Sequence, residues 1–400
     1  MKKNRSMLNG LIIILSFSVV ILGLFTYLQQ SDGDNQTGQN EEIPLDEENQ
    51  EDPATDEVRP DLPMWYVDGE FEVPIVGAAG YTSVNQPLYA EPQREAAADL
   101  ALEAGTPFEI REETGDFWFV STGEQEGWIE NRLAFINLPD VIPSIIYDHT
   151  NSYDSRFQSS HIEIPELTGE SLNPMISFNE RLEEEAFIMP VIYQTAKKLF
   201  HAQQLALQNG DSLVVYETFR PRELQLLVNE SLSELAEENE EVERGITEEP
   251  WSMTWFINMN VSNHQRGVAV DLSLANVEEL TDRTIGDYKA LRVESYTEYV
   301  MQTPIHELSA ESAIFERPIA SADREGWRDL AISSNMTEPA LQLQEYMVQA
   351  GFNPLASEWW HFNDVDAFES LGKDAGTGEF LIRETRNSVP LWENEASQQN

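Results

Sequence analysis

A chain of 400 residues without a single cysteine must hold its fold together by packing alone. It has no disulfide framework, thiolate zinc finger, iron–sulfur cluster or cysteine nucleophile, so any metal is held by histidine and carboxylate. Histidine is scarce, at six residues, while 72 Asp and Glu stand against 24 Lys and Arg, a formal net charge of −48. A polyanion of this size repels nucleic acid instead of displacing its counterions, which removes DNA and RNA from the expected partners. Nine Trp and eighteen Phe provide for packed aromatic cores, and the length allows two to three domains of about 150 residues.

From Gly10 to Leu28 the chain carries no charge, and Lys2, Lys3 and Arg5 precede this run. Nineteen uncharged residues are about enough to cross a bilayer as a helix. The cationic flank puts the N-terminus in the cytoplasm and everything beyond Gln30 outside it. The flank FTYLQQSDGD lacks a small-x-small cleavage site, which favours an uncleaved single-pass anchor over a signal peptide; cleavage would make the protein secreted. The expected organisation is a cytoplasmic stub and anchor over 1–30, then an acidic disordered tether over 31–63, where Glu41, Glu42 and Asp46 to Glu48 repel one another.

Residues 64–140 contain short strand-like runs, PLYAEP, GTPFEI, GDFWFV and EGWIE, with turns at Gly115-Asp116 and Gly123-Glu124. Phe108 and Ile110, and again Phe117 and Phe119, alternate as one inward face. This order resembles a bacterial SH3-like domain, a small all-β barrel. The resemblance implies either contact with cell-wall peptides or a plain spacer, with Trp118 and Trp128 serving as core.

Residues 141–385 read as a mixed α+β domain, with 386–400 a tail. Ile192, Ala196, Leu199 and Ala206 recur at helical spacing up to the stop at Asn209-Gly210, and SLVVY follows as a strand. A second helix is expected after Pro221 through Leu224, Leu227 and Leu235, and a third from Pro339 to Ala350. In SNHQRGVAVDLSL, His264 stands seven residues before Asp271. Val268, Val270 and Leu272 form one strand face, while Ala269, Asp271 and Ser273 share the other. Downstream, SEWWHF sets Glu358 and His361 in an E-x-x-H spacing. A flat strand sends those two to opposite faces, so they serve one site only if a bend or a helical turn intervenes. Should His264, Asp271 and His361 converge, they make a two-nitrogen, one-carboxylate site of the catalytic zinc type, with Glu358 left free to move protons. In YETFRP, Arg220 has a fork that matches an oxyanion or a carboxylate. His149, His161 and His201 have no comparable setting and read as surface or packing residues.

FRP, the S-x-H-x-x-G-x-A-x-D run and EWWHF, in this order over Ile145 to Phe362, resemble the zinc D-alanyl-D-alanine dipeptidases of vancomycin resistance and the wider group of zinc D,D-peptidases. The resemblance implies an α+β fold with a central antiparallel sheet and one zinc ion on His264, Asp271 and His361. It further implies Glu358 as general base and acid, Arg220 as stabiliser of the tetrahedral intermediate, and Ser262 as a substrate contact. The family's M-G-T-x-F-D element reads MQTPIH here, placing His306 where an Asp would meet the dipeptide's ammonium. A neutral His is the poorer partner.

Export argues for peptidoglycan stem peptides as substrate, so D,D-carboxypeptidase activity stands beside dipeptide hydrolysis, and an inactive wall-binding or sensory protein is the competing class. The acidity suits a saline or alkaline exterior. In the saline case the unfolding midpoint rises between low and molar salt; a midpoint that stays flat contradicts it.

Overall fold

Short apolar strands separated by turns begin the described part of this computed structural model, residues 72–391. The expected anchor, the acidic tether and the first residues of the SH3-like segment lie outside the described residues. Among the described residues no helix is long and apolar enough to cross a membrane.

Strands β1 (Ala79–Thr82), β2 (Pro107–Thr114), β3 (Phe117–Ser121), β4 (Glu126–Glu130) and β5 (Ala134–Asn137) form an antiparallel sheet. The inward face of β3 is Trp118 and Val120, both fully buried. The alternation through Phe117 and Phe119 is therefore one residue out of step. Trp118 is drawn inward because its ring packs edge-on against Tyr193, 4.8 Å between centroids, whereas Phe119 pairs with half-buried Trp128 on the outer side. A one-residue shift exchanges the two faces of a strand, so the neighbour available for packing decides the register.

After β6 (Ile146–Tyr147) the chain returns as β7 (Pro190–Ile192), which pairs antiparallel with β5 and extends the barrel's sheet in the order β7-β5-β1-β2-β3-β4. Ile192, expected in the first turn of the helix, instead ends this strand and donates its N–H to Gly267 O at 2.9 Å. Helix α1 (Tyr193–Gln208) follows, burying Ala196, Leu199 and Ala206, and closes at Gly210, whose φ of +80° suits glycine.

The second sheet is built on β8 (Asp211–Glu217), buried at every position. Helix α2 (Arg222–Glu238) follows it and turns Leu224, Val228 and Leu232 inward. Leu227, expected in that stripe, is exposed. Next come the long β9 (Ala269–Ile285), its hairpin partner β10 (Tyr288–Glu298), helix α3 (Glu338–Gln349), β11 (Asn353–Leu355) and β12 (Glu358–Asn363). The order is β11-β12-β9-β8-β6, with β10 on the far half of β9. All pairs are antiparallel except β8 with β6.

One apolar cluster joins the two sheets beneath the site. Phe135 of β5 is fully buried, stands 5.5 Å from the Phe219 ring and 6.3 Å from that of Phe380, and lies in the same cluster as Val268. A Cβ on Gly267 would meet Phe135 Cε1 at 2.4 Å, and its φ is +69°, so the turn before β9 requires glycine on both counts. Residues beyond the last helix return to the barrel: Ser388 N–H donates to Gly77 O, and Asn387 Nδ2 donates to Asp140. Removing a buried phenyl ring costs about 3–5 kcal/mol. Phe135→Ala is expected to lose that much, with barrel and second sheet melting in one transition; two separate transitions contradict a shared core.

Candidate metal centre

Three strands bring three charged or polar side chains into one row. In the antiparallel register Asp271 of β9 faces Glu217 of β8 on one side and His361 of β12 on the other. The β8–β9 register shifts between Val215 and Glu217, a bulge that turns Glu217 toward Asp271. A second irregularity answers the E-x-x-H problem: Pro354 pairs with Phe362 but Leu355 with Glu358, so β12 carries extra residues where β11 has none. That bulge lets Glu358 and His361 share a face, with Glu358 Oε2 lying 3.5 Å from His361 Nδ1.

His264 enters from the turn before β9. Gly267 N–H returns to His264 O at 3.0 Å and Val268 N–H to Asn263 O at 3.1 Å. The imidazole Nδ1 is 2.7 Å from Thr218 O, a carbonyl that can only accept, so Nδ1 holds the proton and Nε2 presents a lone pair. His361 is arranged in the opposite sense: its Nε2 lies 3.1 Å from Asn363 Oδ1, leaving Nδ1 to face the centre. His264 Nε2, His361 Nδ1 and Asp271 Oδ1 then stand 3.0–3.2 Å from one another.

These are ligand-ligand separations close to those of a tetrahedral zinc site, where bonds of about 2.0–2.2 Å set neighbours roughly 3.3–3.5 Å apart. Asp271 Oδ1 is buried and receives no hydrogen bond, which is costly unless a cation satisfies it. Two nitrogens and an orphaned carboxylate oxygen therefore fit a divalent ion, and the oriented second nitrogens are the support such ligands need. Burial lowers His264, holding it neutral as a ligand must be. Burial opposes charge on Asp271 as well, but the imidazoles of His264, His306 and His361 close around it keep its carboxyl well below the usual range.

Arg220 is buried and braces the row. Its Nε donates to Glu217 Oε2 at 2.9 Å, Nη1 to Gln225 Oε1 at 2.9 Å, and Nη2 to both Glu217 Oε2 and Asp271 Oδ2, the latter at 3.2 Å. Burial would discourage the charge of Glu217, but the guanidinium keeps its carboxyl lowered. Asn151 Nδ2 also donates to Glu217 at 2.7 Å. Glu358 is different: burial pushes its carboxyl up to about 8, against the pull of His361.

A cavity of about 310 Å3 opens on this centre, lined by Arg220, His264, Glu358 and His361 together with Ser262 and Arg266. That volume is at the lower end of the range for small-ligand sites, about 300–1,000 Å3. Ser262 is part of this lining, its N–H donating to Gln265 Oε1 at 2.6 Å. His306 does not line the cavity. It is buried behind Asp271, with Nε2 3.3 Å from Oδ2, and its ring stacks on Phe157 at 4.6 Å. His306, Glu217 and Asp271 form a second group close enough for a metal, but the Arg220 guanidinium already bridges both carboxylates there.

The other histidines sit as expected. His149 is packed, with Nδ1 2.7 Å from Ser152 Oγ, and His161 is an exposed partner of Glu311. Glu217, Thr218, Gln225 and Asn363 belong to no motif in the sequence. The only available sign was Glu217, an acid three residues before Arg220 at the end of an apolar strand.

Comparison with known proteins places residues 179–374 in the family model described as D-ala-D-ala dipeptidase and residues 82–134 in that of a bacterial SH3 domain. Among solved structures the chain is similar to the vancomycin resistance D,D-pentapeptidase VanY from a VanB-type resistance cassette, determined in complex with Zn(II). Identity is 14%, coverage is 58% of this chain and 98% of that one, and the TM-score is 0.23, too low to add to the geometry above. No curated protein matches.

His264→Ala or Asp271→Ala is expected to reduce bound zinc from one equivalent to near none, measured by elemental analysis after dialysis. Glu217→Gln, which loosens Arg220 and Asp271 without removing a ligand, is expected to weaken zinc affinity about 10–100-fold. Full zinc retention in the His264 variant contradicts its place in the ligand set.

Proposed function

We propose that this cavity, within residues 179–374 that match the D-ala-D-ala dipeptidase family model, hydrolyses the amide bond of a D-Ala-D-Ala end with zinc as its cofactor. The observation that carries the reading is the meeting of His264, Asp271 and His361 within 3.0–3.2 Å, with Glu358 beside them on one cavity.

His264, Asp271 and His361 would hold zinc, which when bound supplies a Lewis acid for the attacking water and the scissile carbonyl. Glu358 is the proton carrier. Its Oε2 is 3.5 Å from His361 Nδ1; in the ionised form it would take a proton from water, and burial, which raises its carboxyl to about 8, would hold that proton until it passes to the leaving amine. Arg220 makes four hydrogen bonds to Glu217, Gln225 and Asp271. Of its five N–H groups one is left, on Nη1, and it would be the donor for the oxyanion as charge develops. Ser262, on the same wall, positions the peptide.

Between the two forms of the reaction, the lining favours carboxypeptidase-type cleavage of a stem peptide. Among the described residues that line the cavity, Glu358 is the only carboxylate. A free dipeptide needs an anion for its ammonium, and His306, at the position expected to supply one, is buried behind Asp271. Export through residues 1–30 would put the domain among such stem peptides, with the SH3 domain in a position to touch the wall.

Glu358→Ala is expected to keep one zinc per chain and lower kcat by about 10²–10⁴. D-alanine release from a D-Ala-D-Ala-ended pentapeptide should exceed that from the free dipeptide and stop with chelator. Near-normal turnover in the variant, or a preference for the free dipeptide, contradicts the reading.

A further inference from the structure

Two guanidinium groups face the cavity, and their surroundings differ. Arg220 is held by two carboxylates and an amide and cannot leave them without stranding buried charge. Arg266 has no carboxylate within ion-pair distance among the described residues. Its Nη1 donates to Asn263 Oδ1 at 3.1 Å, and its Nε is buried without an acceptor.

Arg266 belongs to a minority of the described arginines, with Arg181, Arg244, Arg317 and Arg383, that hold no carboxylate. With 72 acids for 24 bases, a cation has acids to spare, and Arg132, Arg222, Arg283 and Arg324 each hold one. Arg266 also does not wave in solvent. Its Cζ lies 5.0 Å from the centre of the Phe368 ring, which supports one flat side of the fork. Phe368 lines the same cavity, as do His264 and Glu358. A guanidinium N–H without an acceptor is costly, and an anion arriving with the substrate would supply acceptors for this side chain.

We propose that Arg266 is the receptor for the substrate's free C-terminal carboxylate, so that this site acts on chain ends and rejects amides and internal bonds. The assignment rests on the hydrolytic reading above and deepens it. Arg266 binds the last residue while Glu358 serves the bond before it. The closed fork suits a carboxylate, which it can grip with two parallel N–H···O bonds, better than a neutral carboxamide, which offers one acceptor and two donors.

The test uses zinc-loaded full chain carrying Glu358→Gln to stop turnover, and titration calorimetry with N-acetyl-D-Ala-D-Ala and its C-terminal amide. The free acid is expected to bind about ten- to hundredfold tighter than the amide. Adding Arg266→Gln should bring the acid down to the amide's level, and Arg266→Lys should keep part of the preference. Unchanged zinc content and unfolding midpoint establish that these variants fold. Equal binding of acid and amide by the protein with Arg266, no binding of either, or equal weakening of both by Arg266→Gln overturns the assignment. Selective binding of the acid by a parent protein that releases no D-alanine from it overturns the hydrolytic reading and leaves the assignment standing.

Discussion

Asp271 is the residue on which the other features of the site turn. One of its oxygens faces two imidazole lone pairs, and the other is held by Arg220 at 3.2 Å. A buried carboxylate costs several kcal/mol unless it is compensated, and here the compensation is divided. Glu217 and Asp271 carry two negative charges against the single positive charge of Arg220, so the row is one charge short of balance. The deficit sits beside Oδ1, where His264 and His361 direct their free nitrogens. Electrostatics, tautomers and spacing thus ask for the same thing, a small divalent cation.

The row exists because backbone geometry imposes it. Strands on either side of β9 bring Glu217 and His361 to Asp271, and two bulges correct faces that strict alternation would have placed wrongly. The turn that carries His264 closes on Phe135, a residue of the barrel's sheet. Phe219, next to Arg220, packs against that ring and stacks on Phe380 at 5.0 Å. The aromatic cluster therefore supports His264 and Arg220 from behind, and the SH3-like strands are part of the structure that sets ligand positions.

Much of this was legible from residue patterns. Helical spacing from Ala196 to Ala206, the apolar run into β8, the alternation from Val268 to Leu272 and the glycine at 267 each follow from local rules, and the structure realises them. The convergence of His264, Asp271 and His361 could be read because chemistry limits which side chains hold zinc. What could not be read depends on neighbours distant in sequence. Trp118, not Phe117, faces inward because Tyr193 is there to receive it. Leu227 is exposed because Val228 and Leu232 take the inner side of α2. Glu217 and Asn363 are ordinary polar residues until β8 and β12 flank β9, and the bend that unites Glu358 with His361 is a register shift that no single-strand pattern reveals.

The most direct test of the central claim is a crystal of the zinc-soaked protein measured on both sides of the zinc absorption edge. The account predicts one anomalous peak, bonded to His264 Nε2, His361 Nδ1 and Asp271 Oδ1, with Glu358 near it but outside the bonding distance of about 2.0–2.2 Å. A map with no peak among these three side chains, or with the ion held by Glu217 and His306 in their place, would contradict it.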